Sequence, residues 1–124
     1  MIMAASADKK LRNKVLHVAF EPQLHVVRHR LMETSGYDVL TVVGENGIHE
    51  MDLTALAVDV VLVDCSASFE RRWGLVRSLK LSYPEIPVVA LRKDNTDDPI
   101  SLADHNASLA SPADWLDTIA IALN

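Results

Sequence analysis

Apolar residues in this chain fall into short unbroken runs, separated by stretches in which they recur at helical spacing. Val15-Leu16-His17-Val18-Ala19-Phe20 is a run of the kind that forms a buried strand. Pro22 then stands where a first helical turn tolerates a missing N–H. Leu24, Val27, Leu31 and Met32 continue that helix until Gly36, which suits a left-handed cap. Asp38 to Val43 predicts the second strand, and Gly44-Glu45-Asn46-Gly47 a turn. Ile48, Met51, Leu53, Leu56 and Ala57 predict a shorter second helix. Asp59-Val60-Val61-Leu62-Val63-Asp64 is the strongest strand, β-branched and continuous as a central parallel strand covered on both faces requires.

Cys65 to Ser68 reads as a loop. Phe69 to Tyr83 predicts the third helix, with Trp73, Val76, Leu79 and Leu81 as its apolar positions and Pro84 ending it. Ile86 to Leu91 is the fourth strand, and Lys93 to Pro99 a polar loop carrying Asp94, Asp97 and Asp98. Ile100 to Asp104 predicts a short fourth helix, and Ser108-Leu109-Ala110 a very short fifth strand. Pro112 and Asp114 open a last helix with Trp115, Ile119 and Leu123 along one side.

A strand-helix unit repeated in this way implies right-handed crossovers and a parallel sheet with helices on both faces. Ligands bind such sheets beyond the carboxyl ends of the strands. That directs attention to Ala19-Phe20-Glu21, Asp64-Cys65-Ser66, Arg92-Lys93 and Ala110-Ser111. Residues 1–13 read as a polar lead-in and residues 14–124 as one domain, without internal repeats.

Composition narrows the classes. The chain has 124 residues, 49% of them apolar, which suits one packed domain rather than disorder. A net charge of −5, with basic residues scattered, argues against direct nucleic-acid binding. No apolar run approaches the roughly 20 residues of a membrane helix, and Met1 to Lys10 holds no signal-peptide core. Cys65 is the one cysteine and forms no internal disulfide, so a reducing cytoplasm is expected.

Five segments together resemble the response-regulator receiver domains of two-component signalling, over roughly residues 14 to 123. Val15 to Leu24 resembles the family's first strand with the Glu-Pro that often follows it. Gly36-Tyr37-Asp38-Val39 resembles the entrance to the second strand. Asp59 to Asp64 resembles the strand that ends in the phosphoaccepting aspartate. Pro87 to Leu91 resembles the fourth strand, and Leu109-Ala110-Ser111-Pro112 the Leu-x-Lys-Pro segment. The resemblance implies a flavodoxin-like (βα)5 three-layer sandwich around a five-stranded parallel sheet, in the order 2-1-3-4-5.

The family's phosphorylation chemistry needs two acidic residues after the first strand, which hold Mg²⁺ together with the acceptor aspartate. Those positions are Ala19 and Phe20 here, and neither side chain ligates a metal. The family's threonine or serine after the fourth strand aligns with Arg92, its lysine with Ser111, and its aromatic switch residue with Ser108. Asp64 keeps the acceptor position. The expectation is therefore loss of Mg²⁺ binding and no cofactor.

Several residues have both a sharp and a plain reading. Asp64 is a phosphoacceptor, or a strand-end carboxylate bonded to nearby N–H groups or a cation. Arg92 substitutes for the metal by pairing with Asp64, or is a solvated arginine at a loop start. Ser111 before Pro112 suits the start of a helix better than a phosphate site. A carboxylate beside Cys65 blunts the thiol. Gly44 and Gly47 fit no phosphate-loop fingerprint. His25 and His29 share a helical face but lack a third metal ligand, and Asp94, Asp97 and Asp98 lack a calcium-loop pattern.

The expected function is a degenerate receiver, not an enzyme, acting through protein partners: a sensor kinase, an output domain or another signalling protein. A homodimer through the face from Ile100 to Leu123 is a further expectation, carried by Trp115 and Ile119. The alternative is a phosphorylation-competent receiver, alone or as part of a longer regulator, accepting phosphate on Asp64. A small flavodoxin-like enzyme or nucleotide binder is less favoured, because no glycine follows the first strand before Pro22.

Overall fold

The structure, a computed structural model, describes residues 12–22, 25–94 and 97–124. Most of the lead-in, and Leu24 of the first helix, lie outside these. The elements in chain order are β1 (Lys14–Ala19), α1 (His25–Thr34), β2 (Asp38–Val43), α2 (Asn46–His49), β3 (Val60–Val63), α3 (Phe69–Ser82), β4 (Val88–Arg92), β5 (His105–Ser108) and α4 (Pro112–Leu123). All strand pairs are parallel, and the sheet order is β2-β1-β3-β4-β5. This is the expected 2-1-3-4-5 arrangement.

Burial explains the order. β3 is buried at every position and β1 and β4 at all but one, so they take the centre. The partly polar β2 and β5 take the edges. Alternation along the strands builds two cores. Leu16, Val18, Val61, Val63, Val88 and Ala90 face α3, where Leu75, Val76 and Leu79 meet them. Val15, Val60, Leu62, Val89 and Leu91 face the other side, covered by Met32 of α1 and by Trp115 and Ile119 of α4.

Two expected helices do not form. In place of a helix from Ile48 to Ala57 there is the single turn α2 followed by tight turns. The Asp52 carboxylate accepts the N–H groups of Thr54 and Ala55, each at 3.1 Å, which offers the backbone an alternative to helix. Ala57 then sits at φ 58°, in the left-handed region that stops a helix. Tyr83 pins the segment, its hydroxyl donating to the Met51 carbonyl and accepting from Leu53 N–H.

The helix expected over Ile100–Asp104 is likewise a turn. Asn106 holds it, accepting Ile100 N–H at 2.9 Å and donating to the Ile100 carbonyl at 3.0 Å. Pairing of Val89 through Arg92 with His105 through Ser108 places β5 before the expected Ser108–Ala110. The crossover from β4 to β5 therefore has no helix among its described residues.

Two sequence expectations about surfaces also change. The buried stripe of α3 is Arg72, Leu75, Val76 and Leu79, while Trp73 and Leu81 are exposed. Trp115 and Ile119 are core residues, so they cannot supply the apolar dimer patch expected between Ile100 and Leu123. Leu102 and Ile121 are the large apolar side chains exposed there.

Candidate functional site

Asp64 follows β3 and continues its pairing, with its N–H on the Val18 carbonyl at 2.9 Å. Val63 faces α3, so alternation turns Asp64 to the α1 side. There its side chain is 1% exposed. Oδ1 accepts the N–H of Cys65 at 2.7 Å. Oδ2 lies 3.2 Å from His17 Nε2 of β1 and 3.2 Å from Arg28 Nε of α1. Burial pushes the Asp64 carboxyl up, but the His17 hydrogen bond, the Arg28 charge and the Cys65 N–H outweigh it and hold the group below its ordinary value. Asp64 is thus an internal carboxylate.

The polar contacts continue outward from His17. Its Nδ1 is 3.3 Å from Thr41 Oγ1 of β2, which is 2.7 Å from His29 Nδ1 of α1. His29 Nε2 reaches Glu33 Oε2 at 3.3 Å. A chain of polar side chains therefore runs from buried Asp64 to exposed Glu33. Thr41 has one proton to give and stands between two ring nitrogens. With both terminal carboxylates ionised, the chain is fully satisfied when one of the two imidazoles presents N–H on both sides.

The substituted positions behave differently. Ala19 is buried in the sheet, and the Phe20 ring lies under the Arg71 guanidinium at 5.2 Å. Arg71 forms a two-pronged pair with Glu45, at 2.6 and 3.1 Å, which holds the Glu45 carboxyl below its ordinary value. Ser111 precedes α4 but makes no side-chain cap. Ser108 accepts the N–H of Ala110. Cys65 is buried and unbridged; burial and then the Asp64 charge push its thiol up, with Arg28 and Arg72 opposing.

The expected Asp64–Arg92 pair is not present. Leu91 faces the α4 side and Ala90 the α3 side, so alternation turns Arg92 toward α3 and away from Asp64. Its Nη1 donates to the Asp97 carbonyl at 3.1 Å. The cation on Asp64 is Arg28 instead. Sequence reasoning missed Arg28, His17 and Thr41. His17 did carry a signal, as the polar residue inside the buried run Val15–Ala19. Arg28 carried none, because a charge on a helix is ordinarily solvated.

These residues do not fit Mg²⁺, which needs several oxygen ligands in octahedral geometry. Ala19 and Phe20 supply none, Glu21 is exposed, and both Asp64 oxygens are engaged, one of them by a guanidinium.

No protein-family model matches the chain, and no curated protein matches it in sequence. Solved structures match in shape. The RstA receiver domain of Klebsiella pneumoniae superposes with a TM-score of 0.76 at 20% identity, covering 90% of this chain and 99% of that one. TrrA of Thermotoga maritima, crystallised with Mg²⁺ and BeF, gives 0.74 at 16% identity, with the same coverage. CheY4 of Vibrio cholerae gives 0.73 at 17% identity, again over 90% and 99%. The chain has the receiver-domain fold. Within this fold, Asp64 at the end of β3 is surrounded by His17 and Arg28. Among the described residues, no helix is long and apolar enough to cross a membrane.

Proposed function

We propose that this receiver-fold domain is a cytoplasmic signalling module that works by binding protein partners, with Asp64 serving as a structural anchor rather than a phosphoacceptor. The observation that carries this is the engagement of Asp64 on the α1 side by His17, Arg28 and the Cys65 N–H. Phosphoryl transfer depends on positioning and charge neutralisation around an accessible oxygen. Here the carboxylate is enclosed, and the residues that would hold a metal are absent. A protein partner is supported by analogy: TrrA, similar in fold, has also been crystallised in complex with the histidine kinase ThkA. The domain is on this reading not an enzyme.

Incubation with acetyl phosphate and Mg²⁺, followed by intact-mass spectrometry, tests the proposal. No phosphoryl adduct is expected. An adduct that disappears in Asp64→Asn would establish the phosphorylation-competent reading instead.

A further inference from the structure

The outward face of α3 carries a pattern that neither core uses. Arg72, Leu75, Val76 and Leu79 form the buried stripe of this helix. Glu70, Trp73, Gly74, Arg77 and Leu81 lie on the opposite side, and all five are exposed. Trp73 stands in the middle of that face at 37% exposure, a large aromatic left partly in water. Beside it, a Cβ added at Gly74 would meet nothing within 4 Å, so the helix surface has a notch there. An open groove of about 430 Å³ runs past the notch, lined on α3 by Glu70, Gly74 and Arg77 and across from them by Glu45 and His49. The charges on the flanks of α3 are matched within the chain. Arg71 pairs with Glu45 at 2.6 Å, and Lys80 with Asp104 at 2.9 Å. Glu70 and Arg77, about two turns apart on the outward face, have no ion-pair partner among the described residues.

These features are complementary to a copy of themselves. A twofold axis passing between Trp73 and Gly74 sets two α3 helices antiparallel, and each Trp73 then lies over the Gly74 of the other copy. The same register sets each Glu70 against the other copy's Arg77, so two ion pairs flank the central contact. A parallel pair about a twofold would oppose Glu70 with Glu70 and Arg77 with Arg77. An antiparallel register that brought Trp73 onto Leu81 would centre the axis on Arg77 and oppose the two guanidiniums. Like charge thus disfavours the alternatives and leaves one arrangement. We propose that the outward face of α3 is a homodimer surface, joining two copies through antiparallel α3 helices with each Trp73 in the other's Gly74 notch. A twofold interface uses the same patch on both copies, which this patch satisfies. Trp73 supplies the buried area, since one tryptophan covers about 150–250 Å². The surface is separate from the face between Ile100 and Leu123, and a second copy is a partner beyond those proposed above. One helix face per copy and two exposed ion pairs make a small interface, so the dimer is weak and depends on concentration.

The test is sedimentation equilibrium of the full chain from about 10 µM to about 1 mM, at low salt. A monomer–dimer equilibrium with a Kd of about 0.1 mM is expected. Trp73→Ala should weaken it about tenfold or more. Gly74→Gln fills the notch and should do the same, while leaving the monomer fold intact, because its site is open and glycine is a poor helix former. Glu70→Arg and Arg77→Glu should each weaken the dimer by setting like charges against each other. The double variant restores both ion pairs and should recover the wild-type Kd. Far-UV circular dichroism of each variant at about 10 µM checks that the monomer stays folded. A strict monomer at about 1 mM overturns the proposal. So does association that survives Trp73→Ala or Gly74→Gln, which would place any dimer on another surface. A charge swap that the double variant fails to rescue overturns it as well.

Discussion

On the α1 side of the sheet, charge is matched group by group. Asp64 faces Arg28 and His17, and the polar chain beyond them ends on Glu33 at the surface. On the α3 side, Arg72 and Arg92 are each held by a backbone carbonyl, of Ala67 and Asp97, and neither has a carboxylate within ion-pair distance among the described residues. The two faces share one scaffold and differ in what neutralises their charge. In the receiver pattern, carboxylates and a metal neutralise one another around the acceptor. Here the α1 side holds an internal ion-pair cluster around Asp64.

The largest expected effect tests the α1 side. Asp64→Ala removes the buried carboxylate that Arg28 and His17 share. Breaking a buried pair by removing one partner costs roughly 3–5 kcal/mol, so urea unfolding should show a loss in that range. A loss below about 1 kcal/mol, the scale of an exposed pair, would mean that Asp64 is not an anchor. Arg92→Ala, outside that cluster, should leave the Asp64 contribution unchanged.

The pH dependence comes next in size. The Asp64 carboxyl is held below its ordinary value in the fold. A depressed folded value contributes stability that is present above the unfolded value, about 3.9, and lost as pH falls through the folded value. The stability difference between wild type and Asp64→Asn should therefore shrink as pH falls below about 5. Glu45 and Asp104 are depressed too and add acid sensitivity to both proteins, so the difference isolates Asp64. A difference that grows in acid would contradict the ion-pair account.

A smaller effect sharpens the role of the outer chain. His17→Leu removes the bond to Asp64 and one partner of Thr41 while keeping an apolar body in β1. A loss of about 1–3 kcal/mol is expected, because Asp64 retains Arg28 and the Cys65 N–H. Thr41→Val should cost less, since His29 and His17 then each lose one neutral partner.

How far the sequence could be read follows the same division. The central strands were legible because continuous β-branched runs have few other uses in a chain of this size. Asp64 was legible because it closes such a run. The turns after α2 and before β5 were not, because Asp52 and Asn106 capture backbone groups that a helix would need, and apolar spacing does not register that. β5 was misplaced because its sequence, His105-Asn106-Ala107-Ser108, is polar and owes its strand form to pairing with β4. The Asp64–Arg92 pair failed for a geometric reason. Neighbouring strand ends share an edge, but alternation decides which face each side chain takes.

Cys65 packs in the core on the α1 side but feels charges from both Arg28 and Arg72, and it carries the smallest expected effect. Its thiol is pushed up first by burial and then by the Asp64 charge, while Arg28 and Arg72 pull it down. Removing one charge leaves burial in place, so each variant should move the pH midpoint of alkylation only modestly. The two sides predict opposite signs. Asp64→Asn removes a negative neighbour, so the thiolate forms at lower pH and iodoacetamide reacts faster at a fixed pH. Arg72→Gln removes a positive neighbour, so the midpoint moves up and the reaction slows. A midpoint unmoved by both variants would show that neither charge acts on the thiol.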